Sequence, residues 1–328
     1  MKQLIKKLTE TYGPSGNEHN IRKKIKEEIQ DYVDELRVDN LGNLIAVKKG
    51  NGKKIMVAAH MDEVGLIVTS IDEKGFLRFS KVGGVSEFYL LGQRVIFENG
   101  IIATLGTEKL ESMKELKMDK MFIDIGAKDK KEAEQMISIG DQACYYREFS
   151  DLNKRIIAKA LDDRIGCCVL IQTIKDIGQS SNNEIYFVFT VQEEVGLRGA
   201  KTSAFSINPD IGIAVDVTAT GDTPKAKTMA VELGKGPAIK IKDNSILCHP
   251  KVRNHLIQTA EKNNIPYQLE VLEFGGTDSG AISVTKEGIP SGVISIPCRY
   301  IHTPSEMIDY DDVLNATKLL TEALISFE

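Results

Sequence analysis

Two adjacent glutamates, Glu193 and Glu194, follow directly on the apolar run Ile185-Tyr186-Phe187-Val188-Phe189-Thr190-Val191. Neighbouring side chains on a strand point to opposite faces, so an adjacent pair at a strand end can divide two tasks. One carboxylate can hold a cation while the other moves protons. Four further places put metal-competent groups after an apolar run or a turn: His60 with Asp62, Asp162 with Asp163, Asp216, and His302. In open α/β sheets the carboxyl ends of strands converge on one crevice, which would gather these distant residues. Imidazole and carboxylate without thiolate suit zinc, cobalt or manganese in a hydrolytic site. Two ions sharing one carboxylate need about five protein ligands.

Each piece alone has a plainer reading. A lone histidine is usually structural or on the surface, and Asp162-Asp163 could simply cap the following helix. Glu193-Glu194 could be a solvated strand end, and Asp216 could begin an Asx-turn. Repetition at several strand ends is what favours a metal centre.

The elements that must position these residues are legible in outline. Ser15-Gly16-Asn17-Glu18 fits a capping box, and Ile21, Ile25 and Ile29 then recur at helical spacing, predicting a helix over about 16–33. Residues 44–47 and 55–59 read as short strands, the second running into His60. From 66 to about 155 the texture is short strands and turns: Asp72-Glu73-Lys74-Gly75, Gly83-Gly84, and Asn99-Gly100, the last a strong hairpin signal. One helix is expected there, near 130–137. Beyond it, a helix at 163–177 precedes strands at 185–191, 211–216 and 292–297, with helices near 250–263, 278–287 and 310–326. The expectation is an α/β fold with a mixed sheet and helices on both faces, formed by residues 1–65 and 157–328. A β-barrel-like insertion, residues 66–156, would interrupt it.

Composition sets bounds on function. The 328 residues are 42% hydrophobic and 27% charged, as in ordinary globular proteins, with core enough for two domains. A formal net charge of -5 argues against nucleic acid or an anionic membrane as partner. No stretch approaches the roughly 20 apolar residues of a membrane span, and Met1-Lys2-Gln3-Leu4-Ile5-Lys6-Lys7 lacks a signal-like apolar region, so a cytoplasmic protein is expected. Cys144, Cys167, Cys168, Cys248 and Cys298 are odd in number and lack a C-x-x-C spacing, which predicts buried reduced thiols rather than disulfides or a thiolate site. His19 and His255 sit in charged helical stretches and read as surface or packing residues.

At the motifs Ala59-His60-Met61-Asp62-Glu63-Val64-Gly65, Ala160-Leu161-Asp162-Asp163-Arg164 and Gln192-Glu193-Glu194-Val195-Gly196-Leu197-Arg198-Gly199-Ala200 the chain resembles a known family. Asp216-Val217-Thr218, Gly221-Asp222-Thr223-Pro224, Phe274-Gly275-Gly276-Thr277-Asp278-Ser279-Gly280-Ala281 and Ile301-His302-Thr303-Pro304-Ser305-Glu306 extend the likeness over the whole length. The family is the tetrahedral (TET) aminopeptidases, cytosolic two-metal peptidases related to glutamyl aminopeptidase, some of which carry the label endoglucanase. The resemblance implies a zinc-peptidase-like catalytic domain that removes N-terminal residues from short peptides with a free amine. It makes His60, Glu194, Asp216 and His302 terminal ligands of two divalent ions, zinc or cobalt with manganese possible, and Asp162 the bridge. We expect His60 to share an ion with Glu194, and Asp216 with His302. Glu193 becomes the general base and Asp62 the partner orienting His60. The Asp162–Asp163 peptide would be cis, and the insertion would make dimers that assemble into a dodecamer.

Three residues are weaker candidates for substrate contact: His249 before Pro250, and Thr277 and Asp278 after the Gly275-Gly276 turn. Helix capping explains them equally well. Two other activities fit parts of the pattern. An endoglucanase-type glycosidase would use two carboxylates, but leaves His60 and His302 without purpose and finds few aromatic platforms, with aromatics at 6% and no Trp. An amidohydrolase such as a deacetylase or dipeptidase would use the same centre, and a non-catalytic peptide-binding or assembly protein would have no need to keep the ligand set.

Overall fold

The computed structural model describes residues 1–178 and 180–327. Its strands in chain order are β1 Glu35–Val38, β2 Leu44–Lys48, β3 Lys54–His60, β4 Gly65–Ile71, β5 Leu77–Val82, β6 Arg94–Phe97, β7 Ile102–Thr107, β8 Met121–Asp124 and β9 Gln142–Tyr145. There follow β10 Ser150–Leu152, β11 Arg155–Ala158, β12 Glu184–Thr190, β13 Ile211–Thr218, β14 Ala238–Lys242, β15 Gln268–Val271, β16 Ser291–Arg299 and β17 Glu306–Asp309. The helices are α1 Lys2–Thr9, α2 His19–Ile29, α3 Glu87–Leu90, α4 Lys130–Met136, α5 Leu161–Ile177, α6 Arg198–Ile207, α7 Pro250–Lys262, α8 Asp278–Ser283 and α9 Tyr310–Ser326.

One sheet has the order β1-β2-β12-β3-β13-β16-β17-β11-β10, with β14 on β16 and β15 on β14. Its centre, β12, β3, β13 and β16, is parallel, while β2, β14 and β17 join antiparallel. The sheet is therefore mixed. Every residue of β13 is buried, as expected of a parallel strand covered on both faces. Alternation along β3 shows the two layers: Ile55, Val57 and Ala59 join a core with α1, α2, α5 and α9, whereas Met56 and Ala58 pack with Ala200 and Ala204 of α6 and Ile282 of α8.

The second sheet closes on itself as a six-stranded barrel, β4-β5-β8-β7-β6-β9, filled by its own core of Val68, Leu77, Val95, Phe97, Leu105, Met121 and Ile123 among others. The Asn99-Gly100 turn joins β6 to β7, and Gly100 takes φ +87°, a conformation that Gly supplies without strain. No helix among the described residues is long and apolar enough to cross a membrane.

Several expectations are corrected. Ser15 and Glu18 do not form a capping box: the Ser15 hydroxyl donates to Asp62 Oδ2 at 2.6 Å, and Glu18 Oε1 accepts from Gly16 N and Gln192 N at 2.7 and 3.1 Å. The helix accordingly starts at His19, and after Ile29 it tightens to a 3₁₀ turn, Gln30–Tyr32. The helix expected over 278–287 ends at Ser283. Residues 161–162, expected ahead of the helix, already belong to α5, although the backbone at Asp162 and Asp163 is not helical. Helices α1, α3 and α6 and strands β1, β10, β11, β14, β15 and β17 went unforeseen, most of them being short, and β10 and β11 join the mixed sheet although the insertion was expected to run to 156.

Candidate functional site

The parallel strands end on one side of the sheet, and the candidate residues meet there. His60 closes β3, Asp216 lies near the end of β13, Asp162 stands in the first turn of α5, and His302 follows β16. Glu193 and Glu194 are not on β12, which ends at Thr190; they occupy the loop beyond Gln192, whose φ is +55°. Strand pleating therefore does not orient them. The Asp62 carboxylate does, accepting Glu193 N at 3.0 Å and Glu194 N at 3.2 Å.

Asp162 is the hub. Its Oδ1 lies 2.9 Å from His60 Nε2, and its Oδ2 lies 3.2 Å from His302 Nε2. Glu194 Oε2 is 3.1 Å from that same His302 nitrogen, while Asp216 Oδ1 and Glu193 Oε2 are each 3.9 Å from His60 Nε2. Both imidazoles turn Nδ1 away from the cluster. His60 Nδ1 meets the Asp62 carbonyl oxygen at 3.2 Å and the Asp62 carboxylate only at 3.5 Å; His302 Nδ1 meets the Gly84 carbonyl at 3.2 Å. With Nδ1 turned to a carbonyl in each ring, Nε2 is the nitrogen that faces the cluster. Asp163 turns aside, its carboxylate accepting His60 N and Gly166 N at 3.2 and 3.0 Å. The Asp162–Asp163 peptide is cis.

Charge in this cluster is unbalanced. Burial, reinforced by neighbouring carboxylates, pushes Glu193, Asp216 and Asp163 well above the ordinary carboxylate range and also raises Glu194. Burial works against charge on His60 and His302, yet the facing carboxylates overcome it: His60 is held well above its ordinary value and His302 is pushed up to about 12. Asp162, facing both imidazoles, is lowered despite its burial. Glu194 Oε1 is buried with no hydrogen-bond partner. Too many acids for two imidazoles, and a lone pair left open in the interior, are what a bound cation would correct. Two triads, His60 with Asp163 and Asp216, and His60 with Asp162 and Glu194, each bring ligand atoms within 4.8 Å of one another.

The cluster floors a cavity of about 540 Å³, walled by Leu197, Val217, Leu272, Phe274 and Ile301 among others. A larger recess of about 670 Å³ opens beside Lys53 and Asn182, on the amino-terminal side of β3, away from this chemistry. Of the three weaker candidates, none lines the cavity. His249 sits before β16 begins and caps α7, its Nδ1 accepting Lys251 N at 3.2 Å. Thr277 and Asp278 are buried behind the Gly275-Gly276 wall, where Asp278 accepts a hydrogen bond from Thr190 Oγ1. The sequence reading missed Glu306, whose carboxylate accepts Asp162 N at 2.9 Å and His302 N at 2.7 Å. Its only signal was its place in the Ile301–Glu306 motif.

The expectations for the cysteines and for His19 and His255 agree with the structure. All five cysteines are buried and unpaired, and Cys167 packs under the site with its thiol 3.2 Å from the His60 carbonyl. His19 pairs with Glu98 at the surface, and His255 packs on the Phe327 ring.

A crevice at the carboxyl ends of parallel strands, floored by one buried and one part-exposed imidazole and by carboxylates, defines a metal-competent hydrolytic centre on an α/β sheet. Residues 42–319 match the family model of M42 glutamyl aminopeptidase, and the chain belongs to that family of peptidases. A chain of Acetivibrio thermocellus, provisionally named an aminopeptidase, is 60% identical over 99% of this chain and 98% of its own length. The lysyl aminopeptidase of Pyrococcus furiosus is 37% identical over 97% and 94%. Among solved structures, an aminopeptidase of Desulfurococcus kamchatkensis superposes with a TM-score of 0.96 at 42% identity, covering 99% of this chain and 94% of that one. A TET peptidase of Pyrococcus horikoshii, described as assembling into a tetrahedron or a large octahedral shell, gives 0.90 at 36% identity and 99% coverage of each chain.

Proposed function

We propose that the protein is an aminopeptidase that removes N-terminal residues from short peptides with two divalent cations bound at the cluster. The observation that carries the reading is the division of Asp162, with one oxygen toward His60 and the other toward His302. The shortest distances favour a pairing of ligands different from the expected one. Asp216 stands with His60 on one side and Glu194 with His302 on the other, so each pair would hold one ion and Asp162 both. The donor set, imidazole and carboxylate only, fits zinc, cobalt or manganese, and the open Glu194 Oε1 and the raised acids fit the charge. Cations held there supply acidification of a water and polarisation of the scissile carbonyl.

The residues of the chain do the rest. Glu193, whose Oε2 stands 3.9 Å from His60 Nε2 at the edge of the cluster, accepts the proton of the attacking water and returns it to the leaving amine. Asp62 keeps Glu193 and Glu194 in place through their amides. The walls of the cavity exclude water around the bound peptide end.

In this reading residues 1–65 and 157–328, joined by β10 and β11 of the same sheet, form the catalytic unit, and the barrel of the insertion 66–156 is the assembly element. Exposed Phe88, Tyr89, Ile102 and Ile139 on the insertion support an interface there, and dimers joined through it would build the dodecamer. Five unpaired cysteines suit a reducing cytoplasm. The test is a tripeptide assay on metal-stripped protein reloaded with zinc, cobalt or manganese. Cleavage should need added metal and a free N-terminus. Equal cleavage of the N-acetylated peptide would favour an amidohydrolase, and chelator-resistant activity on glucans would favour the glycosidase.

A further inference from the structure

We infer that the cavity beside the cluster selects peptides whose N-terminal residue is apolar and uncharged, of leucine or methionine size. The inference rests on the aminopeptidase reading and gives its substrate class. Leu197, Val217, Leu272, Phe274 and Ile301, with Gly275 and Gly276, line the cavity that the carboxylates floor. These residues come from four separate places in the chain, the loop before α6, β13, the segment after β15 and the loop after β16, and meet at this one cavity. Roughly 540 Å³ is ample for one such side chain with the first peptide unit.

Two of the nearby cations are paired with acids and a third is exposed. Lys240 is fully buried behind Thr218, paired with Glu270 and 3.4 Å from Asp243 Oδ2, and Thr218 Oγ1 itself donates to Glu270 at 2.7 Å. Arg299 donates to both oxygens of Asp222, at 2.9 and 2.6 Å. Lys227 stands 5.1 Å from the Phe274 ring centroid on an exposed stem, where a charge is screened by water. A glutamate side chain entering the cavity would lose its hydration facing leucine, valine and phenylalanine, and it would also approach the acids of the cluster. A lysine side chain would meet the same apolar residues, with Glu270 buried and already paired with Lys240 and Thr218. Burying a charge without a partner is far more costly than burying an apolar group is favourable. The chain thereby departs from the residue preferences that its lysyl and glutamyl relatives carry in their names.

The experiment compares kcat/KM of the metal-loaded protein on aminoacyl p-nitroanilides of Leu, Met, Ala, Glu and Lys. Leu and Met should exceed Ala by roughly 10-fold or more, the scale of burying two or three further methylene-sized groups. Glu and Lys should fall on the order of 100-fold below Leu. Phe274→Arg, at a half-exposed position that tolerates a long side chain, should raise the Glu-to-Leu ratio about 10-fold. Glu or Lys turning over as fast as Leu overturns the inference while leaving the aminopeptidase reading intact. An unchanged Glu-to-Leu ratio in a folded Phe274→Arg protein removes Phe274 from the wall and overturns it too. Failure to hydrolyse any of the five would instead refute the aminopeptidase reading itself.

Discussion

The Glu306 carboxylate accepts the backbone N–H of His302 at 2.7 Å on one oxygen and that of Asp162 at 2.9 Å on the other. One buried side chain at the start of β17 thus fixes the spacing of two residues far apart in sequence. Asp62 does the same for Glu193 and Glu194. Four of the cluster's side chains are therefore set through their own backbone amides by two carboxylates beneath them. Such outer partners govern the geometry of a metal centre almost as much as the ligands do.

Glu306→Ala should weaken divalent-cation binding by about 10- to 100-fold, because both amides lose a buried acceptor and both loops are free to drift. Glu306→Gln keeps one acceptor oxygen and should fall between. Calorimetric titration of the metal-stripped proteins with zinc reads this directly. Wild-type affinity in the alanine variant would show that the two amides do not hold the site.

Glu193→Gln separates proton transfer from metal binding. The amide keeps the shape of the side chain but has no basicity, so turnover should drop on the order of 10²- to 10⁴-fold. Metal content by elemental analysis should stay at the wild-type level. Normal turnover would remove Glu193 from the role of base.

A buried ion pair nearby tests the scaffold. Lys159 Nζ reaches both oxygens of Glu63 at 2.8 and 2.6 Å, and Arg164 Nη2 reaches one at 3.3 Å, all three residues being almost without solvent contact. They tie β11, the first turns of α5 and the strand end after His60 together. Glu63→Leu would leave two cations uncompensated and should cost about 3–5 kcal/mol of unfolding free energy. Chemical denaturation measures it, and a loss under 1 kcal/mol would mean that solvent or other acceptors compensate the cations.

Much of this was legible in the sequence, for identifiable reasons. Central strands β3, β12 and β13 are continuous apolar runs because both of their faces are covered, and chemistry placed just after such a run must face the crevice. His60, Asp162, Glu193, Glu194, Asp216 and His302 were found that way, and they meet. The barrel showed through its turns, whose glycines adopt positive φ at Gly75, Gly83 and Gly100. What failed depended on tertiary contacts. Ser15 and Glu18 have the spacing of a cap, but Asp62 and the Gln192 amide outcompete the helix end for them. The pairing of ligands needs distances between loops that no local pattern encodes. Strands β14, β15 and β17 are four or five residues long and mixed in polarity; β14 and β17 exist because β16 offers them an edge, and β15 because β14 does.

Gly84 gives the barrel a part in the chemistry. The segment after β5 brings the Gly84 carbonyl to His302 Nδ1 at 3.2 Å, and a Cβ at Gly84 would lie 2.5 Å from that nitrogen. A Cβ at Gly83 would stand 3.1 Å from Glu194 Cβ. Only a backbone without side chains passes between the two loops. Gly84→Ala must therefore move the imidazole or withdraw the segment, and either change spoils the Glu194–His302 side of the cluster. The expected outcome is loss of about one of two bound metal equivalents, with far-UV circular dichroism unchanged and turnover reduced at least 10-fold. His302→Ala, which deletes the same imidazole without touching the barrel, should show the same stoichiometry. Should Gly84→Ala bind the full complement at wild-type affinity while His302→Ala does not, the barrel segment would have no hold on the histidine.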